Sequence, residues 1–149
     1  PIMEKLAKNG KYIELPYVVK GMDLSFSGIM SSAKQKLKTH KLEDLCFSFQ
    51  ETCFAMLVEV AERALAHTGK NEMLLVGGVA ANSRLQEMCQ KMCEERGATF
   101  YPVPFEYAGD CGANIAWTGL LQYQNGVKPT KNPDFNSLWR TDEVEVTWL

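Results

Sequence analysis

Two glycine-centred stretches and one serine-bearing loop hold the residues of this chain that could do chemistry. The first is Leu75-Val76-Gly77-Gly78-Val79-Ala80-Ala81-Asn82, an apolar run that meets two glycines and then opens a helical pattern. Side chains are missing where the backbone must turn, so a flat or anionic ligand can approach main-chain N–H groups near the positive end of a helix. The Asn82 amide adds a donor and an acceptor. The same residues also suit a plain strand-to-helix turn with Asn82 as N-cap, and both readings stay open. Neither G-x-G-x-x-G nor the P-loop pattern occurs, so a Rossmann cofactor or P-loop phosphate site is not indicated.

The second stretch, Tyr107-Ala108-Gly109-Asp110-Cys111-Gly112-Ala113-Asn114, sets a lone acid between glycines at the start of a helix. Asp110 either caps that helix and complements its dipole, or reaches out to a hard cation or iron-type metal. One carboxylate does not hold a metal unaided. His40 ends a lysine-rich segment and His67 ends a helix, so both read as solvated histidines. The third stretch, Lys20-Gly21-Met22-Asp23-Leu24-Ser25-Phe26-Ser27-Gly28, reads as a sharply shaped loop or strand leading into a helix. No histidine stands nearby in sequence to activate Ser25 or Ser27, so a serine nucleophile is not favoured. Gln50 and Glu51 read as the polar flank of a long helix.

The elements that must position these residues follow from periodicity. Residues 42–67 carry apolar side chains at three- and four-residue steps from Leu42 to Leu65, predicting an amphipathic helix of about 39 Å that Gly69 stops. Met73-Leu74-Leu75-Val76 predicts a short strand buried on both faces. A helix follows, capped by Asn82 or Ser83 and ended by Gly97, then a strand over Ala98 to Val103 and a helix over Gly112 to Gln124. That order predicts a parallel or mixed sheet covered by helices. A short helical pattern opens the chain, and Glu143 to Trp148 alternate as in an edge strand. We divide the 149 residues into a basic entry segment (1–41), a sheet-and-helix core (42–125) and a C-terminal wrap (126–149).

Composition bounds the class. The length suits one domain, and 46% hydrophobic with 23% charged residues argues against disorder. The longest apolar runs fall far short of the ~18 residues of a membrane span, so no membrane partner is expected. The chain opens on Pro1 rather than Met, from which a piece of something longer is expected. Cys46, Cys53, Cys89, Cys93 and Cys111 form no CxxC pair and read as reduced thiols of a cytoplasmic protein. Cys89 and Cys93 stand one helical turn apart without a completing ligand pair, so small buried thiols are favoured over zinc. Residues 1–41 hold eight lysines and three acids, a balance of +5, while the rest carries −7. The basic segment suits a polyanion, or is a solvated helix surface.

At these motifs the chain resembles a known family. Lys20 to Gly28, then Phe49-Gln50-Glu51-Thr52, then Val76 to Asn82, then Gly109-Asp110-Cys111-Gly112-Ala113 occur in the order seen in the universal tRNA threonylcarbamoyladenosine synthases, formerly called O-sialoglycoprotein endopeptidases. The closing Arg140 to Trp148 is similar to the archaeal and eukaryotic cytosolic branch, the catalytic subunit of the KEOPS complex. The resemblance implies an α/β, actin-like (sugar kinase, Hsp70 and actin) fold, of which this chain is the C-terminal lobe. It implies transfer of threonylcarbamoyl from its adenylate to N6 of the anticodon-adjacent adenosine in tRNAs reading codons that start with A. Gly77, Gly78 and Asn82 would then meet the adenine nucleotide, and Asp110 would bind one divalent metal, whether iron, zinc or magnesium. The family's other ligands, two histidines in a His-x-x-x-His motif, are absent from these residues, so the fragment alone is expected to be inactive. No side-chain nucleophile is needed. The implied partners are tRNA and the kinase-like and dimerisation subunits of KEOPS, in the cytoplasm or nucleus. The alternatives are an actin-like small-molecule kinase and a non-catalytic lobe that docks KEOPS subunits and tRNA. A peptidase is disfavoured, since neither a His-Glu-x-x-His motif nor a serine triad is visible.

Overall fold

The computed structural model describes residues 2–132, 134–140 and 143–146. Two compact units divide it, residues 1–108 and 109–149.

In the first unit, α1 (Ile2–Ala7) is followed by an extended strap and a small antiparallel pair, β1 (Val19–Lys20) and β2 (Asp23–Leu24). Gly21 takes φ +61° in the turn between them, a conformation that favours glycine. Helix α2 (Ser27–Lys36) leads to the long helix α3 (Leu42–Thr68), which Gly69 ends in the left-handed conformation at φ +65°. Next come β3 (Glu72–Leu75), a 3-10 turn over Gly78–Ala81, α4 (Ser83–Glu95), β4 (Thr99–Pro102) and the short α5 (Phe105–Ala108). Strands β3 and β4 pair in parallel, with Glu72 opposite Thr99 and Leu75 opposite Pro102. This is the helix–strand–helix–strand order read from the sequence, as a pair of strands rather than a broad sheet.

The core lies where α3, α4 and β4 meet. Met56 and Phe54 of α3 pack with Leu85, Cys89 and Cys93 of α4, Phe100 of β4, and Ile29 of α2. Each helix presents one apolar stripe because those residues recur at the helical period, and burying it is the main source of stability. The strap is stitched to the start of α3. Lys11 N–H donates to Asp44 Oδ1 (2.7 Å), Ile13 N–H donates to Ser48 Oγ (2.6 Å), and Ser48 Oγ donates to the Asp44 carbonyl (2.7 Å). Further along, Tyr17 Oη donates to Glu59, and Arg63 donates to both Glu59 and the Gly21 carbonyl. Burial, reinforced by the Glu59 carboxylate, pushes the Tyr17 phenol up to about 12.

Strand β3 differs from the expectation of burial on both faces. Met73 and Leu75 turn toward the core, while Leu74 and Val76 stand 65% and 60% exposed. The helices cover one face of a two-stranded pair, so only alternate residues are buried.

The described residues of the second unit form α6 (Gly112–Gln124) and otherwise little regular structure. Helix α6 ends at Asn125, with Gly126 at φ +88° beyond it. Its Ile115, Trp117 and Tyr123 are exposed. Of the expected C-terminal strand, residues 143–146 form no strand, because among the described residues no neighbour pairs with them. Residues 147–149, with Trp148, lie outside the described residues, as do Thr141 and Asp142 of the same motif.

Two tests follow from the packing. A Cβ on Gly10 would collide with the Glu43 carbonyl oxygen and stand 2.6 Å from Phe47 Cβ. Gly10→Ala is therefore expected to cost about 1–3 kcal/mol, read from urea unfolding of the intact protein. Burial also pushes the thiols of Cys53 and Cys89 up to about 11 from the ordinary 9.0, with Cys93 adding to the shift at Cys89. The unfolded chain releases these protons first as pH rises, so their contribution is complete below pH 9.0 and is lost on the way to about 11. The urea midpoint should fall across that window and fall less in Cys53→Val; identical slopes for the two proteins would refute the assignment.

Candidate functional site

The loop after β3 shows why the chain needs glycine there. Gly77 adopts φ +99°, a backbone state that L side chains rarely take, and its carbonyl accepts from Ala80 N–H at 2.9 Å to open the 3-10 turn. Ala80 is buried, while Gly78 and Val79 remain exposed. The turn separates the paired glycines from α4, so the helix start belongs to Asn82 rather than to the glycines. Asn82 is extended (φ −71°, ψ 120°), and its Oδ1 accepts from the N–H groups of Arg84 (2.9 Å) and Leu85 (3.2 Å). Asn82 is thus the N-cap, and its acceptor is spent on the helix. The expectation that this amide offers a ligand both a donor and an acceptor is corrected: only the Nδ2 side remains.

Beside this turn lies a cavity of about 590 Å³. Gly78, Val79 and Asn82 line it on one side, and Phe49, Gln50 and Phe54 of α3 on another. A mostly apolar wall with the amides of Gln50 and Asn82 and the carboxylate of Glu4 suits a flat, partly apolar ligand held in orientation by one or two hydrogen bonds.

Gln50 and Glu51 are not the polar flank that periodicity suggests. Gln50 is 8% exposed, and its Oε1 accepts from Asn82 Nδ2 at 3.2 Å. Glu51 grips Arg84 through both carboxylate oxygens, Oε1 from Nε at 2.8 Å and Oε2 from Nη2 at 2.7 Å. Arg84 Nη1 also meets Glu87 Oε2 at 2.9 Å. Hydrogen bonds donated to Glu51 and then to Glu87 raise the Arg84 guanidinium pKa, and the two-pronged fork fixes its direction as a lysine would not. Sequence reasoning missed these partners because they lie more than thirty residues away. The available signal was three consecutive polar residues, Gln50, Glu51 and Thr52, between the apolar Phe49 and Cys53.

Asp110 lies in the second unit, on the bend before α6. The helix cap is Cys111, which makes no side-chain capping bond, and Asp110 itself is exposed without a hydrogen-bond or ion-pair partner among the described residues. The capping reading of Asp110 is therefore not met. Among the described residues no three His, Cys, Asp or Glu gather as metal ligands. The side chains present do not by themselves fit a metal ion, since a lone carboxylate leaves most of any coordination shell unfilled.

The remaining candidates are placed simply. Ser25 Oγ and Ser27 Oγ lie 3.1 Å apart, and the polar partner of His40 is the neighbouring Thr39. Both histidines are exposed. Lys36 Nζ donates to the Glu14 carbonyl at 2.8 Å and so serves the fold, whereas Lys34, Lys38 and Lys41 are exposed.

Comparison with known proteins bears on the same residues. The family model for tRNA N6-adenosine threonylcarbamoyltransferase matches residues 1–117. A probable bifunctional tRNA threonylcarbamoyladenosine biosynthesis protein of Methanocorpusculum labreanum is 61% identical over 150 residues, covering 99% of this chain and 29% of that protein. The tRNA N6-adenosine threonylcarbamoyltransferase of Methanocella arvoryzae is 58% identical over 151 residues, covering 100% of this chain and 47% of that protein. The chain thus spans less than half the length of these relatives. The crystal structure of T. kodakarensis HypF superposes with a TM-score of 0.63 at 24% identity, over 82% of this chain and 16% of that one, a likeness of fold.

The cap makes a direct prediction. Asn82→Ala should lose about 1 kcal/mol of stability, while Asn82→Asp, which keeps the acceptor at the positive helix end, should lose little. Thermal melting of the two variants side by side checks it, and equal losses would refute the cap.

Proposed function

The chain belongs to the tRNA N6-adenosine threonylcarbamoyltransferase family, and from that premise we propose that it is the C-terminal, actin-like lobe of such an enzyme. The complete protein transfers threonylcarbamoyl from threonylcarbamoyl-adenylate to N6 of the anticodon-adjacent adenosine in tRNA. The observation that carries this reading is the Gly77–Asn82 turn, set against a largely apolar cavity of about 590 Å³. Such a turn holds the adenylate by its backbone and by the Asn82 amide. Acyl transfer to an RNA amine is served by this positioning, because an oriented donor beside its acceptor has already met much of the entropic cost of reaction. No serine or cysteine nucleophile enters the scheme; Cys53, Cys89 and Cys93 are buried, Cys46 and Cys111 partly so, and Ser25 and Ser27 face each other.

Asp110 is assigned as one oxygen ligand of a divalent metal whose other ligands lie outside these residues. We assign the metal no step. The exposed lysines Lys34, Lys38 and Lys41 are the tRNA-facing charges of this lobe, and the partners are tRNA and the kinase-like and dimerisation subunits of KEOPS, in the cytoplasm or nucleus.

In the complete protein, Asn82→Ala is expected to weaken AMP binding by roughly tenfold, the scale of one or two lost hydrogen bonds. Asp110→Ala should lower the metal content measured by elemental analysis and abolish modification of a tRNA transcript. Unaltered metal content in that variant would remove Asp110 from the site, and full modification by it would remove the residue from the reaction.

A further inference from the structure

The hydrogen bonds around Asn82 permit only one orientation of two amides. Its Oδ1 faces the N–H groups of Arg84 and Leu85, both donors, so the oxygen must stay there and Nδ2 must point the other way. The group that meets Nδ2 is Gln50, at 3.2 Å, which therefore has to present its own oxygen. That leaves Gln50 Nε2 without a partner among the described residues, on a side chain only 8% exposed that lines the same cavity as Asn82. That nitrogen is reached by solvent rather than sealed in the interior, so a molecule in the cavity can meet it. The neighbouring residue on α3, Glu51, holds Arg84 in a two-pronged ion pair, so two consecutive residues grip the first turn of α4 and keep the Gln50–Asn82 pair in register.

We propose that Gln50 is a positioning residue that locks the Asn82 amide, so that this pair presents hydrogen donors to the cavity, Nδ2 of Asn82 and Nε2 of Gln50, and selects, at that point of a wall that elsewhere carries the Glu4 carboxylate, a ligand atom that is an unprotonated acceptor. A ring nitrogen or a hydroxyl or phosphoryl oxygen of an adenylate satisfies that demand; an amino group placed there does not. The inference deepens the proposed function and rests on its assignment of the turn to the nucleotide.

The test uses the complete protein, with AMP as the calorimetric probe and thermal melting as the control for folding. Asn82→Asp keeps the helix cap and removes the donor; Gln50→Met keeps the length and removes the acceptor that locks Asn82; Gln50→Glu restores an acceptor. We expect Asn82→Asp and Gln50→Met each to weaken AMP by roughly five- to tenfold, the scale of a lost hydrogen bond, with Gln50→Glu recovering part of the loss. In nitrogen-15 spectra the Asn82 side-chain amide should exchange faster in Gln50→Met than in the parent protein, which general destabilisation would not confine to that one amide.

If Asn82→Asp weakens AMP while Gln50→Met leaves it unchanged, the positioning role is overturned and the nucleotide assignment stands. Unchanged affinity in Asn82→Asp overturns that assignment and the inference with it. Should Gln50→Met fail to fold, Gln50→Glu decides: affinity closer to the parent than to Asn82→Asp supports the lock, and a loss equal to that of Asn82→Asp overturns it.

Discussion

The grip of α3 on the first turn of α4 is the constraint on which the candidate site depends. Helix α4 begins in a part-buried position, where its leading N–H groups need partners. Asn82 Oδ1 supplies one acceptor to two of them, and Glu51 ties Arg84 from the outside with both carboxylate oxygens. The cap fixes where the 3-10 turn must end, and the turn fixes where the glycines lie. Only then does the cavity acquire its shape. The apolar core contributes more energy, but it tolerates small slips; a two-pronged ion pair and a bidentate cap do not.

The sequence displayed the long elements well because their evidence is local. The stripe from Leu42 to Leu65, the left-handed Gly69 and the Asn82 cap each depend on neighbours within a few positions, and each stands in the structure as periodicity and capping rules require. The parallel pairing of β3 with β4 followed from their order. Where the reading failed, the deciding partner was distant or missing. Gln50 and Glu51 looked like a solvated flank because nothing in their vicinity shows that Asn82 and Arg84 arrive from over thirty residues away. Strand β3 looked doubly buried because a run of four apolar residues carries no sign of how many faces are covered. Asp110 resembled a cap because acids favour that place, yet Cys111 occupies it.

The basic entry segment illustrates how one charge pattern divides into two roles. Lys36 is drawn onto the Glu14 carbonyl and helps anchor the strap, so it is held by the fold. Lys34 and Lys38 lie two residues to either side, exposed and free to answer a polyanion. Net charge counted along the sequence cannot separate these jobs, because a lysine ammonium can donate to a backbone carbonyl as well as to a phosphate.

The uncovered side of the β3–β4 pair has a practical side. Leu74, Val76 and Tyr101 give it a greasy texture that water meets directly. Ammonium sulfate and similar salts strengthen the drive to hide such surface without loosening a packed interior. Copies of this polypeptide handled in those salts would therefore cluster while still natively folded, and turbidity would gauge stickiness instead of denaturation.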